Sequence, residues 1–168
     1  RLLGWQLLDS DAEIERELGH SIRSHFEQYG EDSFRALEEA MIAKLAARQQ
    51  VVLATGGGAV LRESNRIALK QSGNTVVYLR ASVEDLVRRL RHDTQRPLLQ
   101  DVDPAIRLRQ LFSQRDPLYR AVADLVVDTG RSSVSAIAHL LAMQLELGND
   151  LTSHSDPGRD AGASTDSA

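Results

Sequence analysis

Two carboxylates stand two residues apart in Asp9-Ser10-Asp11, directly after the apolar run Trp5-Gln6-Leu7-Leu8. Ligands of open α/β sheets gather at the carboxyl ends of strands. At such an edge one carboxylate could serve a cation and the other a hydroxyl. The structural alternative is that Asp9 ends the strand while Asp11 favours a helix N-terminus. A second constellation, Thr55-Gly56-Gly57-Gly58, follows the apolar run Val51-Val52-Leu53-Ala54. Three consecutive glycines exceed what a turn needs, and they let backbone N–H groups approach a ligand closely.

Arginines supply the remaining chemistry. Of the twenty Lys and Arg residues only Lys44 and Lys70 are lysines, so any site for a carboxylate or phosphate must lean on the planar guanidinium fork. Phe34-Arg35 is followed by Glu38 at helical i,i+3 spacing. Taken alone, that is a surface ion pair contributing well under ~1 kcal/mol. Arg96-Pro97-Leu98-Leu99 lies in the longest irregular stretch inside the domain, where a mobile lid could carry a charge onto a phosphoryl group. A solvated loop arginine is the alternative. Arg115-Asp116-Pro117-Leu118-Tyr119 reads by itself as a helix kink with a surface arginine. The five histidines have no metal-ligand spacing, and Trp5 and the three Phe read as core.

The elements that must position these residues follow from the apolar pattern. Trp5 to Leu8 is a strand; Asp11 to Leu18 is a helix with Ser10 as its cap and Gly19 as its stop. Ser21 to Tyr29 is a second short helix ended by Gly30. Phe34, Leu37, Met41 and Leu45 recur at helical spacing on a longer helix from Asp32 to Arg48. Val51 to Ala54, Thr75 to Leu79 and Leu125 to Val127 are short continuous apolar strands. Between them fall helices over Asn65 to Gln71, from Ser82 through Leu90, and over Ala105 to Ala121 with a kink at Pro117. The irregular segment 91–104 is the lid. Ser132 or Ser133 opens a last helix that stops at Gly148. Strands alternating with helices, and apolar on both faces, predict an α/β fold with a parallel sheet covered by helices on both sides.

Residues 1–147 form the domain. The polar stretch 148–168 is an unstructured tail that cannot bury enough surface to offset its ordering entropy. Hydrophobic content of 42% and charged content of 26% are ordinary globular values, and the net charge of -4 argues against nucleic-acid or anionic-membrane partners. The absence of cysteine excludes disulfides, thiolate metal sites and cysteine nucleophiles. No apolar run approaches the ~18 residues of a membrane span, and no signal peptide is visible at the start, so a cytoplasmic location is expected. The first residue is Arg and not Met, which suggests a fragment, a processed chain or a misplaced start.

The order Asp9 to Asp11, Gly30 to Glu38, Thr55 to Gly58, Arg96 to Leu99, Arg115 to Tyr119 resembles the shikimate kinase family over residues 1–147. Each motif is weak singly; five in order at compatible spacing are specific. The resemblance implies a P-loop NTPase fold of the nucleoside-monophosphate-kinase type. It implies transfer of the γ-phosphoryl of ATP to the 3-hydroxyl of shikimate, in chorismate and aromatic amino-acid biosynthesis. Asp11 is then expected to bind the shikimate hydroxyls and to orient or deprotonate the attacking one. Arg35 and Arg115 clamp the shikimate carboxylate, with Gly57 and Gly58 lining the pocket. Asp9 acts at Mg²⁺ through water, Arg96 reaches the transferring phosphate, and Arg131 and Arg89 lie near the adenine. A monomer is expected when complete.

One departure from the family pattern is large. Shikimate kinases open with a strand, a G-x-x-x-x-G-K-S/T loop and a helix, and this chain contains no Gly-Lys dipeptide. The resemblance therefore implies a shortened N-terminus lacking the central strand of the sheet, with a gap between two apolar strands. The chain alone is expected to be poorly stable and to bind ATP weakly. Two alternatives are another small-molecule P-loop kinase related to gluconate kinase, and a kinase-like module that only binds shikimate or a partner.

Overall fold

A computed structural model describes residues 2–71, 73–90, 103–130 and 132–153. The elements in order are β1 (Gln6–Asp9), α1 (Ser10–Leu18), α2 (Ile22–Ala46), β2 (Val51–Ala54), a 3-10 turn (Ala59–Leu61), α3 (Glu63–Lys70), β3 (Val77–Arg80), α4 (Val83–Leu90), α5 (Pro104–Val122), β4 (Leu125–Asp128) and α6 (Val134–Ser153). The chain divides into two compact units, one spanning 3–132 and the other holding the last helix, from 133 onwards.

The alternation of strands and helices is as the apolar pattern predicts, and the strands pair in parallel. β1 lies on β2 with Leu8 opposite Leu53, and β3 lies on β4 with Leu79 opposite Val127. The two pairs remain separate: among the described residues nothing hydrogen-bonds to the second edge of β2 or of β3. One face of the first pair carries the core. Leu8 packs with Ile14, Phe34, Met41 and Leu45, and Leu53 and Val51 join from β2. The other face differs from the expectation of burial on both sides, since Leu7 and its register partner Val52 are 71% and 43% exposed.

The helix boundaries show which local signals governed. Asp9, not Ser10, caps α1: its Oδ1 accepts from the Asp11 and Ala12 amides at 2.9 and 3.1 Å. Ser10 instead is fully buried. The two helices expected on either side of Gly30 meet end to end in α2. Gly30 supplies the bend at φ 81°, a conformation that strains residues bearing a Cβ.

α3 begins at Glu63, ahead of the expected Asn65, whose buried amide instead donates to the Ala59 carbonyl at 2.9 Å. β3 starts at Val77 and not Thr75; the Val76 amide before it donates to the Asp124 carboxylate at 2.8 Å. α5 starts at Pro104 with Asp103 capping the Ala105 amide, so the irregular segment stops before 103, and the helix continues through Pro117. Ser133 is the cap of α6, accepting from the Ala136 amide at 3.1 Å. Gly148 does not stop that helix, which runs to Ser153 and takes in the start of the expected tail. A single glycine costs a helix interior only about 1 kcal/mol. The rest of the tail call, 154–168, and the lid call over 91–102 lie outside the described residues.

Candidate active site

The glycine run after β2 forms a floor on which side chains from three helices converge. A Cβ placed on Gly56 would lie 3.0 Å from both carboxylate oxygens of Asp11, in the first turn of α1. A Cβ on Gly57 would lie 3.2 Å from the Tyr119 hydroxyl and 3.4 Å from Arg115 Nη1, both on α5. A Cβ on Gly58 would lie 2.6 Å from Arg35 Nη2 and 2.7 Å from its Cζ, on α2. Any side chain at Gly58 would therefore have to displace the guanidinium or the loop itself. The three adjacent residues bring a carboxylate and two arginines from distant parts of the chain to one place. Asp11, Arg35, Gly57, Gly58 and Arg115, each expected from the sequence, are thus together.

The two arginines are held differently. Arg35 is only 13% exposed. It donates from Nη1 to Glu38 at 2.7 Å and from Nη2 and Nε to Glu31 at 3.0 and 3.2 Å. Glu38 is 1% exposed, so the pair is buried and not the surface pair that the spacing alone suggests. Burial acts to lower the Arg35 pKa, but the two carboxylates outweigh it and raise it, so the guanidinium stays charged. It keeps an N–H on each terminal nitrogen for a ligand. Among the described residues Arg115 has no carboxylate within ion-pair distance, and its Nε is buried without a hydrogen-bond partner.

The acids are tuned by the same surroundings. Burial first, and the neighbouring Asp9 second, raise the Asp11 carboxyl above its ordinary 3.8. Burial raises Glu38 as well, partly offset by its bond to Arg35. A carboxylate with a raised pKa is a better proton acceptor near neutral pH. A pocket with one such base and two cations suits a ligand bearing both a carboxylate and hydroxyls.

The remaining expected residues are placed as follows. Asp9 stands at the end of β1 with Oδ1 committed to the helix cap. Arg89 donates to the Thr129 carbonyl at 2.6 Å, tying α4 to the turn after β4, away from the glycine floor. Arg96 and Arg131 lie outside the described residues. Sequence reasoning passed over Gly56 and the Tyr119 hydroxyl, which donates to the Gly57 carbonyl at 2.5 Å. The uninterrupted glycine run was the available signal for the first; nothing local marks the second.

Residues 1–146 match the family model described as shikimate kinase. The chain is 53% identical over 147 residues to a shikimate kinase of Cupriavidus pinatubonensis, covering 88% of this chain and 76% of the relative. It is 52% identical over 139 residues to one of Nitrosospira multiformis, covering 83% and 71%. Among solved structures it resembles the shikimate kinase from Acinetobacter baumannii in complex with shikimate. That match has a TM-score of 0.80 at 45% identity and covers 89% of this chain and 83% of the other.

Proposed function

The chain belongs to the shikimate kinase family, and from that premise we propose that Asp11, Arg35, Arg115 and the Gly56–Gly58 backbone form its shikimate pocket. The family reaction moves the γ-phosphoryl of ATP to the 3-hydroxyl of shikimate, giving 3-phosphoshikimate and ADP. The observation that carries the residue roles is that each of the three glycines abuts a different functional side chain.

Arg35 and Arg115 receive the substrate carboxylate through paired N–H donors. That fixes the ring, and Asp11 accepts from the ring hydroxyls. In the transfer, the 3-hydroxyl oxygen forms a bond to the γ-phosphorus, the bond to the ADP oxygen breaks, and the hydroxyl proton passes to Asp11. Little covalent help is needed beyond this positioning and charge neutralisation. Arg96 would bring a further positive charge to the phosphoryl group, and Arg131 and Arg89 would flank the adenine.

Mg²⁺ is expected with the nucleotide. Among the described residues no group of three or more His, Asp or Glu side chains could cage a cation, which suits an ion held mainly by phosphates and water. The Asp9 oxygen not used in the helix cap would hold its water shell, and the ion would neutralise phosphate charge. We further propose a cytoplasmic protein that is a monomer when complete. No described helix is long and apolar enough to cross a membrane.

The 168 residues contain no Gly-Lys dipeptide and hence no G-x-x-x-x-G-K-S/T phosphate cradle. This favours a second reading for the isolated chain, in which it binds shikimate without turning it over. Calorimetry with shikimate and a coupled ADP-release assay separate the readings. Shikimate binding that is lost in Arg35→Ala and Arg115→Ala supports the pocket. ADP release dependent on shikimate makes the isolated chain a working kinase. Absence of shikimate binding to the folded chain refutes the pocket assignment.

A further inference from the structure

Arg35 is aimed by its own carboxylate partners; among the described residues Arg115 has none, and another contact must present its guanidinium at Gly57. The backbone offers little of that control. Pro117 lies two residues beyond Arg115 and has no N–H, so the ladder bond to the Ser113 carbonyl is missing in the turn that carries Arg115.

The neighbouring Asp116 makes up for this loss. Its Oδ1 accepts from the Tyr78 hydroxyl and from Arg80 Nε, both at 3.0 Å and both from β3. Its Oδ2 accepts from Arg120 Nε at 2.8 Å, one turn further along α5. The carboxylate is 14% exposed, with Tyr78 and Arg80 reaching it from partly buried positions and Arg120 from a half-exposed one. Arg80 also lies over the Phe112 ring at 5.2 Å and so engages α5 on the turn before as well. The Tyr78 ring packs on the Tyr119 ring at 4.8 Å, and Tyr119 donates to the Gly57 carbonyl. These contacts run from β3 through α5 to the glycine floor, with Arg115 between their two anchor points. Burial first, then the bond to Asp116, pushes the Tyr78 hydroxyl up to about 12, so it remains a donor at any working pH.

We infer that Asp116 is a positioning residue: by locking the Arg115 turn of α5 to Tyr78 and Arg80 of β3, it presents an otherwise unheld Arg115 guanidinium to the substrate carboxylate. This rests on the shikimate pocket proposed above. The arrangement leaves the terminal Arg115 nitrogens to the ligand, whereas a carboxylate placed directly on Arg115 would compete with the substrate.

The test is a double-mutant cycle on shikimate affinity, measured by calorimetry on the 168-residue chain with Asp116→Ala, Arg115→Ala and both. Displacement of a positioned group by ~1 Å can cost about 100-fold in activity, so a loss of at least about 10-fold in affinity is expected for Asp116→Ala. The same substitution should change affinity less than about twofold once Arg115 is already Ala, because it acts through that side chain. Binding of shikimate methyl ester, which lacks the anionic carboxylate, should be nearly insensitive to Asp116→Ala. A purely structural role would weaken all of these alike. If circular dichroism shows Asp116→Ala unfolded, the cycle is read on Asp116→Asn, which keeps one acceptor and should fall between wild type and Ala. Arg115→Ala without effect on shikimate refutes the pocket reading. Arg115→Ala with a large effect, and Asp116 variants with none or with the same loss in the Arg115→Ala background, refutes the positioning role alone.

Discussion

Gly58→Ala is the most direct probe of the site, because the position of the added carbon is fixed by the backbone. The new Cβ would lie 2.7 Å from Arg35 Cζ and 2.6 Å from Nη2, closer than side-chain carbons tolerate. Arg35 Nη1 is nearer still, so to restore ordinary contact the guanidinium must retreat by about 1 Å. An unrestrained arginine would do so cheaply. Arg35 is not free, since its Nη1 bond to Glu38 is 2.7 Å long and Glu38 is 1% exposed. Losing the cation would leave a buried carboxylate uncompensated, which costs about 3–5 kcal/mol where such pairs are broken outright.

The protein therefore has two responses to Gly58→Ala. It can keep the ion pair and move the glycine loop, which takes Gly56 and Gly57 away from Asp11 and Arg115. Or it can move Arg35 and strain the pair. Either response disturbs the clamp, so shikimate affinity should fall by about 10- to 100-fold. Calorimetry measures the affinity, and a thermal melt alongside shows how much of the strain reaches global stability. An affinity within twofold of wild type in a folded Gly58→Ala protein would mean that Arg35 does not hold the ligand from this position, and the geometric argument would fail.

The Asp11 pKa, raised by burial and by Asp9, gives a signed pH effect. Below that raised value Asp11 takes up a proton and loses acceptor capacity, so shikimate affinity should fall on the acid side at a higher pH than an ordinary carboxylate would set. Calorimetry from about pH 4 to pH 8 should show this limb in the wild type and not in Asp11→Asn; a limb that survives the substitution assigns it to another group. Asp9 carries two proposed tasks that variants can separate. Asp9→Ala removes the α1 cap and should cost about 1 kcal/mol in urea denaturation, while Asp9→Asn keeps a capping oxygen and should stay within a few tenths. Equal losses in both would argue that charge, not the cap, matters there. The uncovered edges of β2 and β3, with Val52 and Leu79 partly exposed, should make the chain self-associate as concentration rises. Light scattering after size exclusion at increasing loading checks this, and a strictly monomeric profile to high concentration counts against it.

Much of the fold was legible because its signals are local. Short apolar runs separated by helical periodicity specify parallel strands and crossover helices, and Gly19 and Gly30 mark turns that need positive φ. The misplacements fall where neighbouring residues carry the same signal. Asp9 and Ser10 are both good caps, and only the backbone entering the helix decides between them. Gly148 is a stop only if the chain turns there, and α6 does not. Exposure of Leu7 and Val52 was not legible either, because an apolar strand reads the same whether or not a layer covers its second face.

The site divides along the same line. Residue types and order pointed to Asp11, Arg35, Arg115 and the glycines as candidates, since each motif keeps its own short spacing, and the fold brings them together. What the sequence could not carry is how these motifs meet. That Glu38 is buried beneath Arg35 depends on the packing of α2, not on an i,i+3 interval that serves equally on a surface. That Asp116 faces β3 while Arg115 faces Gly57 depends on how α5 is rotated against its neighbours. Adjacent helix residues point about 100° apart, so one of them can anchor the helix while the other serves the ligand. A charged pair next to a helix proline reads locally as a surface feature, yet it holds an anchor and its functional neighbour side by side. The two arginines of the clamp therefore differ in kind. Disturbing the carboxylates around Arg35 acts on the ligand's own contact, whereas disturbing Asp116 acts only through the rotation of the helix that carries Arg115.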